Sequence, residues 1–198
     1  MDEDFRQAVR VLQDRQAIHD CLMTYSHAID RLDRELLISV YHEDAIDDHG
    51  VFVGAREEFA DWAIAMHRRT HLSHQHCQFN STCDLQGDVA HTETYYMFVG
   101  MNQRGAPLGM SGGRYVDRLE KREGRWAIAA RICIRDWAPL DAIPETLDQS
   151  TLTVVELDEA TRMLMRQGAQ PARDRSDPSY MRPLVIPASR LAQANRKS

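Results

Sequence analysis

Four long stretches rich in β-branched and aromatic residues dominate the second half of the sequence: His71 to Leu85, Val89 to Met101, Leu108 to Arg122 and Arg125 to Trp137. Their separators are turn signals, at Gln86, Gly87 and Asp88, at Asn102 to Gly105, and at Glu123 and Gly124. Four sequential strands joined this tightly form an antiparallel meander. Strands this long twist and curl, because each carries an intrinsic right-handed twist. Gly112 and Gly113, adjacent inside the third stretch, predict a bulge where that strand bends.

Helical patterns come first. Val11, Ile18, Leu22, Tyr25, Ile29 and Leu32 recur at helical spacings and make one stripe over residues 6 to 31. Asp33 is placed to cap a short helix from Arg34 to Tyr41. Ala45 to Val53 is expected to contain a short strand, closed by Gly54. Arg56 to Arg69 reads as a helix with Phe59, Trp62, Ala63 and Met66 on one side. Helices followed by a meander define an α+β fold, with the helices packed into the concave face of a curved antiparallel sheet. A helix over Thr151 to Arg166 and an irregular arm with Pro171, Pro178, Pro183 and Pro187 follow. The expected organisation is a core domain over 1–140 and an arm over 141–198 that contacts a neighbour or covers a pocket.

The chain has 198 residues, enough for one domain with a full core. Net charge is −6, with acids and bases interspersed and no Lys/Arg stripe, which argues against a nucleic-acid partner. No apolar run reaches membrane-spanning length, and the acidic N-terminus does not read as a signal peptide, so a cytoplasmic protein is expected. Cys21, Cys77, Cys83 and Cys133 form no paired motif and read as reduced thiols.

Several polar residues stand where a small domain is normally apolar. Asp30 ends the first helical stripe and faces either solvent or the interior; buried, it needs a partner. His76 is the candidate, sharing a strand face with His74 and Gln78. Oriented by Asp30, one ring nitrogen is left free to act as a base; the alternative is a core histidine. Tyr25 lies five residues before Asp30, about 140° away on an ideal helix, and reads as a core aromatic unless the helix ends near Asp30. Arg131, among Ala127, Ile128, Ile132 and Ile134, is either half of a structural ion pair or a stabiliser of negative charge. Asp47 and His49 share a face and either line a cavity or meet water near Gly50. His67, His71, His74 and His76 make a metal site only if the turn after the helix gathers them; metal ligation is not assigned, and no cofactor is expected. The sequence lacks nucleophile-elbow and phosphate-loop motifs.

Over residues 8 to 140 the chain resembles the SnoaL-like branch of the nuclear transport factor 2-like superfamily. The resemblance rests on Ala17 and Ile18 before Tyr25, Ala28 to Asp30, Tyr41 to Ala45, Gly54 to Phe59, His76 with Asn80, Gly87 to Ala90, and Gly112 to Glu120 leading to Gly124, Arg125 and Trp126. It implies a cystatin-like cone with a deep apolar pocket and an Asp30–His76 dyad, assisted by Tyr25 and Arg131. It implies that Asp47, His49, Asn80 and Met110 contact substrate, His49 and Met110 standing where relatives carry a pocket tyrosine and a pocket histidine. The implied activity is a cofactor-independent lyase that eliminates water, formaldehyde or halide from an apolar aromatic or steroid-like ring compound. An isomerase or hydrolase on the same dyad, or a non-catalytic ligand-binding module, are the alternatives. A homo-oligomer is expected, a trimer before a dimer.

Overall fold

The structure, a computed structural model, describes residues 2–105, 107–138 and 159–194. Helix α1 (Glu3–Arg31) opens on Asp2, whose carboxylate accepts from the Asp4 amide. It buries Ile18, Leu22, Tyr25, Ala28 and Ile29 along the predicted stripe. It stops at Leu32, which takes a left-handed conformation (φ 55°) while the Asp33 amide bonds back to the Ala28 carbonyl. Asp33 then caps α2 (Arg34–Ser39), accepting from the Leu36 amide at 3.0 Å. Helix α3 spans Arg56–Thr70.

The short strand expected within Ala45 to Val53 is two strands. β1 (Tyr41–Asp48) starts one residue after α2, and β2 (Val53–Ala55) folds back on it, pairing Asp47 with Gly54. The break falls at Gly50, whose φ of 73° a continuous strand cannot hold. The meander follows as β3 (His71–Gln86), β4 (Val89–Asn102), β5 (Leu108–Arg122) and β6 (Arg125–Trp137), close to the predicted bounds. The sheet order is β2-β1-β6-β5-β4-β3. One pairing departs from the antiparallel expectation: β1 runs parallel to β6, because the helix α3 and the whole meander intervene between them. The sheet curls without closing, and α1 and α3 fill its concave side. The first core lies there, built from α1, α3, Tyr115, Leu119 and Ile128. Trp126 Nε1 and the Lys121 ammonium both bond Asp14, at 2.8 Å each, and pin α1 to the far hairpin.

A bulge lies at the predicted glycines, Gly112 and Gly113, but on the neighbouring strand: β5 pairs with β4 without a break there, and the extra residue, Asp136, is on β6. The β5–β6 register slips between Gly112, which faces Trp137, and Gly113, which faces Arg135. A Cβ on Gly113 would stand 2.0 Å from the Ile134 carbonyl oxygen, so the strands meet this closely only with glycine there.

Beyond the meander the chain crosses the convex face. α4 (Glu159–Gln167), a 3₁₀ turn (Pro178–Tyr180) and α5 (Ala188–Ala194) are the described elements; the rest of the predicted helix over Thr151 to Arg166 lies outside the described residues. Leu184 and Ile186 join Val53, Val116, Ala130, Ile132 and Ile134 in a second core on that face. Two bidentate ion pairs clamp the arm. Arg114 holds Asp177 at 2.9 and 3.0 Å, and Arg190 holds Asp48 at 2.9 and 2.8 Å. No helix among the described residues is long and apolar enough to cross a membrane.

Two stability predictions follow from these contacts. Gly113→Ala should lower unfolding free energy by about 2–3 kcal/mol, read by denaturant titration, because the clash is with backbone. His42, buried with Nε2 donating to the Glu120 carbonyl, has its pKa lowered to about 4 by burial and by Arg122 and Arg125. The fold therefore prefers the neutral ring. The stabilisation is full above the unfolded value near 6.5 and is lost as pH falls through about 4. The thermal midpoint of His42→Gln should fall less steeply between pH 7 and pH 4 than that of the wild type.

Candidate active site

A cavity of about 510 Å³ lies between the concave face of the sheet, α1 and α3. Its wall is largely aromatic. Tyr25 and Ile29 come from α1, and Phe59, Trp62, Ala63 and Met66 from the predicted face of α3. Tyr96, Phe98, Ser111, Tyr115 and Cys133 come from alternate positions of the meander. Arg166, Ala169 and Gln170, at the end of α4 and just beyond, complete the lining.

Asp30 and His76 are brought together. The His76 ring Nδ1 lies 2.7 Å from Asp30 Oδ1, and the His76 amide donates to both carboxylate oxygens at 3.1 and 3.0 Å. Asp30 sits in the last turn of α1, where the helix end meets the start of β3, so a single carboxylate fixes both the backbone and the ring of His76. The hydrogen bond places the Nδ1 proton toward Asp30 and leaves Nε2 with the lone pair. Burial lowers the His76 pKa, Asp30 opposing it. His76 lines the cavity; Asp30 stands behind it.

A second imidazole–carboxylate pair faces the same space. His49 Nδ1 hydrogen-bonds Asp47, which is fully buried and also accepts from the Tyr41 hydroxyl at 2.7 Å. His49 Nε2 lies 3.4 Å from the Tyr25 hydroxyl. The ring stacks on Phe59, centroids 4.6 Å apart. Burial opposes its charge, but Asp47 together with Cys133 and Tyr25 outweighs that effect and holds the pKa well above the ordinary value. The cavity thus holds one imidazole biased toward neutrality and one biased toward imidazolium.

Tyr25 lines the cavity although it lies about 140° from Asp30 around α1, because Asp30 reaches the site through His76 and not directly. Four expected contacts differ. Arg131 does not line the cavity. It is fully buried behind it, bidentate to Asp117 at 2.7 and 2.9 Å, with its guanidinium 4.0 Å from the Tyr25 ring centroid and 4.3 Å from that of Tyr115. Its place in the structure is therefore the ion-pair alternative, supporting the two tyrosine rings by cation–π contact. Asn80 and Met110 are exposed and away from the cavity: Asn80 lies past the β3 irregularity between Gln78 and Ser81, and Met110 points to the face opposite its cavity-lining neighbour Ser111. Asp47 acts through His49 and does not line the cavity.

The turn after α3 gathers the histidines. β3 begins at the residue that follows α3, so His67 and His71 fold against His74 and His76. His67 and His74 stack with centroids 4.0 Å apart, and His67 Nδ1 is 3.3 Å from His71 Nδ1. Residues that sequence reasoning missed are Asp117 and the cavity tyrosines Tyr96 and Tyr115. A signal for Asp117 existed: it interrupts the apolar alternation Tyr115, Leu119 on the same face.

A half-open α+β cone with an aromatic, polar-tipped cavity defines a class of small-ligand proteins. The chain matches the SnoaL-like domain over residues 10–132 and belongs to that family. No curated protein matches it. Among solved structures, it resembles a proposed scytalone dehydratase from Novosphingobium aromaticivorans, at 20% identity and a TM-score of 0.58, covering 64% of this chain and 87% of that one. It also resembles a hexachlorocyclohexane dehydrochlorinase from Novosphingobium barchaimii, at 18% identity and a TM-score of 0.60, covering 66% and 92%. A protein of unknown function with a cystatin-like fold from Nostoc punctiforme aligns at 20% identity and a TM-score of 0.56, covering 65% and 96%. At these identities the likeness is one of fold.

Arg131→Ala should destabilise the protein by about 3–5 kcal/mol, because Asp117 would remain buried and unpaired. Equilibrium unfolding checks this. Arg131→Ala combined with Asp117→Ala should recover part of the loss.

Proposed function

We propose that the protein is a lyase that removes a proton and a leaving group from a largely apolar ring compound by general acid–base chemistry in the cavity. The observation that carries this reading is the pair of part-buried imidazoles on one cavity, each held by its own carboxylate and biased in opposite directions. His76, oriented by Asp30, is the base, and His49, kept protonated by Asp47, is the acid.

In the step, His76 Nε2 takes a proton from a carbon beside the leaving group. The C–H electrons form the new double bond, the bond to the leaving oxygen or halide breaks, and His49 delivers its proton to a departing oxygen. The two rings then hold the opposite protonation states and reset by exchange with water. Tyr25, hydrogen-bonded to His49, steadies that ring and the substrate oxygen. Nothing in the step calls for an electron or group carrier. The cavity volume and its aromatic wall suit a compound of one to a few rings, bound by apolar area and oriented by few polar groups. The dehydratase and dehydrochlorinase likenesses support elimination of water or halide, with loss of formaldehyde as a further possibility of the same chemistry.

A screen of ring alcohols and ring halides, read by mass loss, tests the reaction class; an isomer of unchanged mass, or a product heavier by water, would move the protein to the isomerase or hydrolase alternative. With a substrate in hand, His76→Ala should reduce turnover by about two to four powers of ten. Asp30→Asn should impair turnover by loss of the charge that stabilises imidazolium. His49→Gln should impair an alcohol substrate more than a halide, whose departure needs no proton. A folded His76→Ala variant with near wild-type turnover would make the Asp30–His76 pair structural and leave a ligand-binding protein.

The same reading includes self-assembly as a trimer, with a dimer second. Tyr95, Met101, Leu108, Met110 and Trp137 are exposed at one end of the convex sheet face, beyond the arm, an apolar patch that association would bury. Light scattering at micromolar concentration should give an oligomer; a monomer there would refute it.

A further inference from the structure

We propose that His67, His71 and His74 form a binding site for one divalent transition-metal ion of the zinc class, at the junction of α3 and β3 and reached from the cavity. The donors come from the last turn of α3, the first residue of β3 and a position three residues on. One potential ligand atom of each lies within 4.8 Å of the other two. The closest pair, His67 Nδ1 and His71 Nδ1, is 3.3 Å apart, the spacing of two nitrogens each about 2.0–2.1 Å from a tetrahedral zinc ion (~3.4 Å). Completing the set requires the His67 ring to turn out of its stack on His74, whose own ring the Ile29 carbonyl holds.

His71 meets the Thr70 hydroxyl at 2.8 Å and His74 the Ile29 carbonyl at 3.1 Å, whereas His67 meets only another imidazole among the described residues. His67 is buried, and its ring packs on three other imidazoles and Phe98. Its hydrogen bond is to another imidazole, where a single shared proton serves two nitrogens. Leu or Phe would fill the same space without desolvating ring nitrogens. His74 Nε2 donates to the Ile29 carbonyl at 3.1 Å, which orients that ring and leaves the lone pair on Nδ1, the carbonyl–histidine arrangement that supports metal ligands. Asp30, 3.8 Å from His74, supplies a nearby negative charge.

A second triad, Asp30, His74 and His76, is equally compact, but Asp30 there is already engaged by the ring and amide of His76. His67 and His71 line the cavity, so three protein ligands would leave a position open to water or to a substrate oxygen. The site does not depend on the acid–base reading, and binding can be measured without a substrate.

Tag-free protein, stripped with a chelator and dialysed, is titrated with Zn²⁺ by calorimetry and with Co²⁺ by visible absorption. The expected result is one equivalent bound at micromolar affinity or tighter, a ligand-field band with Co²⁺, and a raised thermal midpoint. His67→Gln, His71→Gln and His74→Gln should each weaken binding at least tenfold, while His19→Gln, on the exposed side of α1, should not. Circular dichroism confirms that the variants fold. Binding well below one equivalent by the wild-type protein would overturn the proposal, with no variant needed. So would binding that His76→Gln weakens and His67→Gln leaves intact, because that result assigns the ion to the other triad.

Discussion

Burying a carboxylate is costly unless a partner arrives with it, and the concave side of this sheet fully encloses Asp47 and Asp117 and largely covers Asp30 at the end of α1. Asp117 is met by Arg131 from the adjacent strand, Asp47 by Tyr41 and His49 on its own strand and turn, and Asp30 by His76 across the helix–sheet boundary. Each pairing depends on register. A one-residue slip of β6 against β5 would turn Arg131 to the convex face and strand Asp117 in the core. The Gly112–Gly113 bulge places its irregularity at the other end of the same pairing, away from that contact. A second irregularity of the same pairing, between Arg118 and Leu119, lies beside that contact.

The three pairs differ in what they leave open. Asp117 and Arg131 satisfy each other with two hydrogen bonds, and the remaining Arg131 Nη1 meets no hydrogen-bond partner among the described residues, so the pair supports the tyrosine rings and has nothing to offer a ligand. Asp30 and Asp47 each grip one nitrogen of a ring whose other edge reaches the cavity. Asp30 stands in a turn and spreads its acceptor capacity over the His76 amide as well as the ring, whereas Asp47 is wholly enclosed and bears on His49 at short range. The same two residue types thus give imidazoles biased in opposite directions.

Much of the fold was legible because its signals are local. The α1 stripe, the Asp33 cap, the turns at Gly87 and Gly124, and the position, though not the strand, of the bulge at Gly112 and Gly113 are each written in a few adjacent residues. The parallel β1–β6 pair was not, since it joins segments about 80 residues apart and has no turn to announce it. The split of the first strand had a local signal, since Asp47, Asp48, His49 and Gly50 interrupt the apolar residues between Ile46 and Val51. At the site, Tyr25, Asp30, His49 and His76 stood out as polar groups beside apolar faces. Arg131 stood out for the same reason, but its partner decides its role, and Asp117 lies on another strand. Asn80 and Met110 were assigned by likeness of position, and strand alternation, disturbed near Asn80 by the β3 irregularity, turns them outward.

The arm links the two faces of the sheet. Its ion pairs, Arg114 with Asp177 and Arg190 with Asp48, lie on the convex side, yet the end of α4 contributes Arg166, Ala169 and Gln170 to the cavity on the other. Asp48 is the residue next to Asp47, and Arg190 also bonds the Gly50 carbonyl at 2.6 Å. One arginine of the arm therefore grips the turn on both sides of His49. The ring that the acid–base reading makes the proton donor sits on a turn with few strand hydrogen bonds of its own, held by Asp47 from within the sheet and by Arg190 from the arm. The precision of the cavity at that point belongs as much to the arm as to the domain that the family resemblance covers.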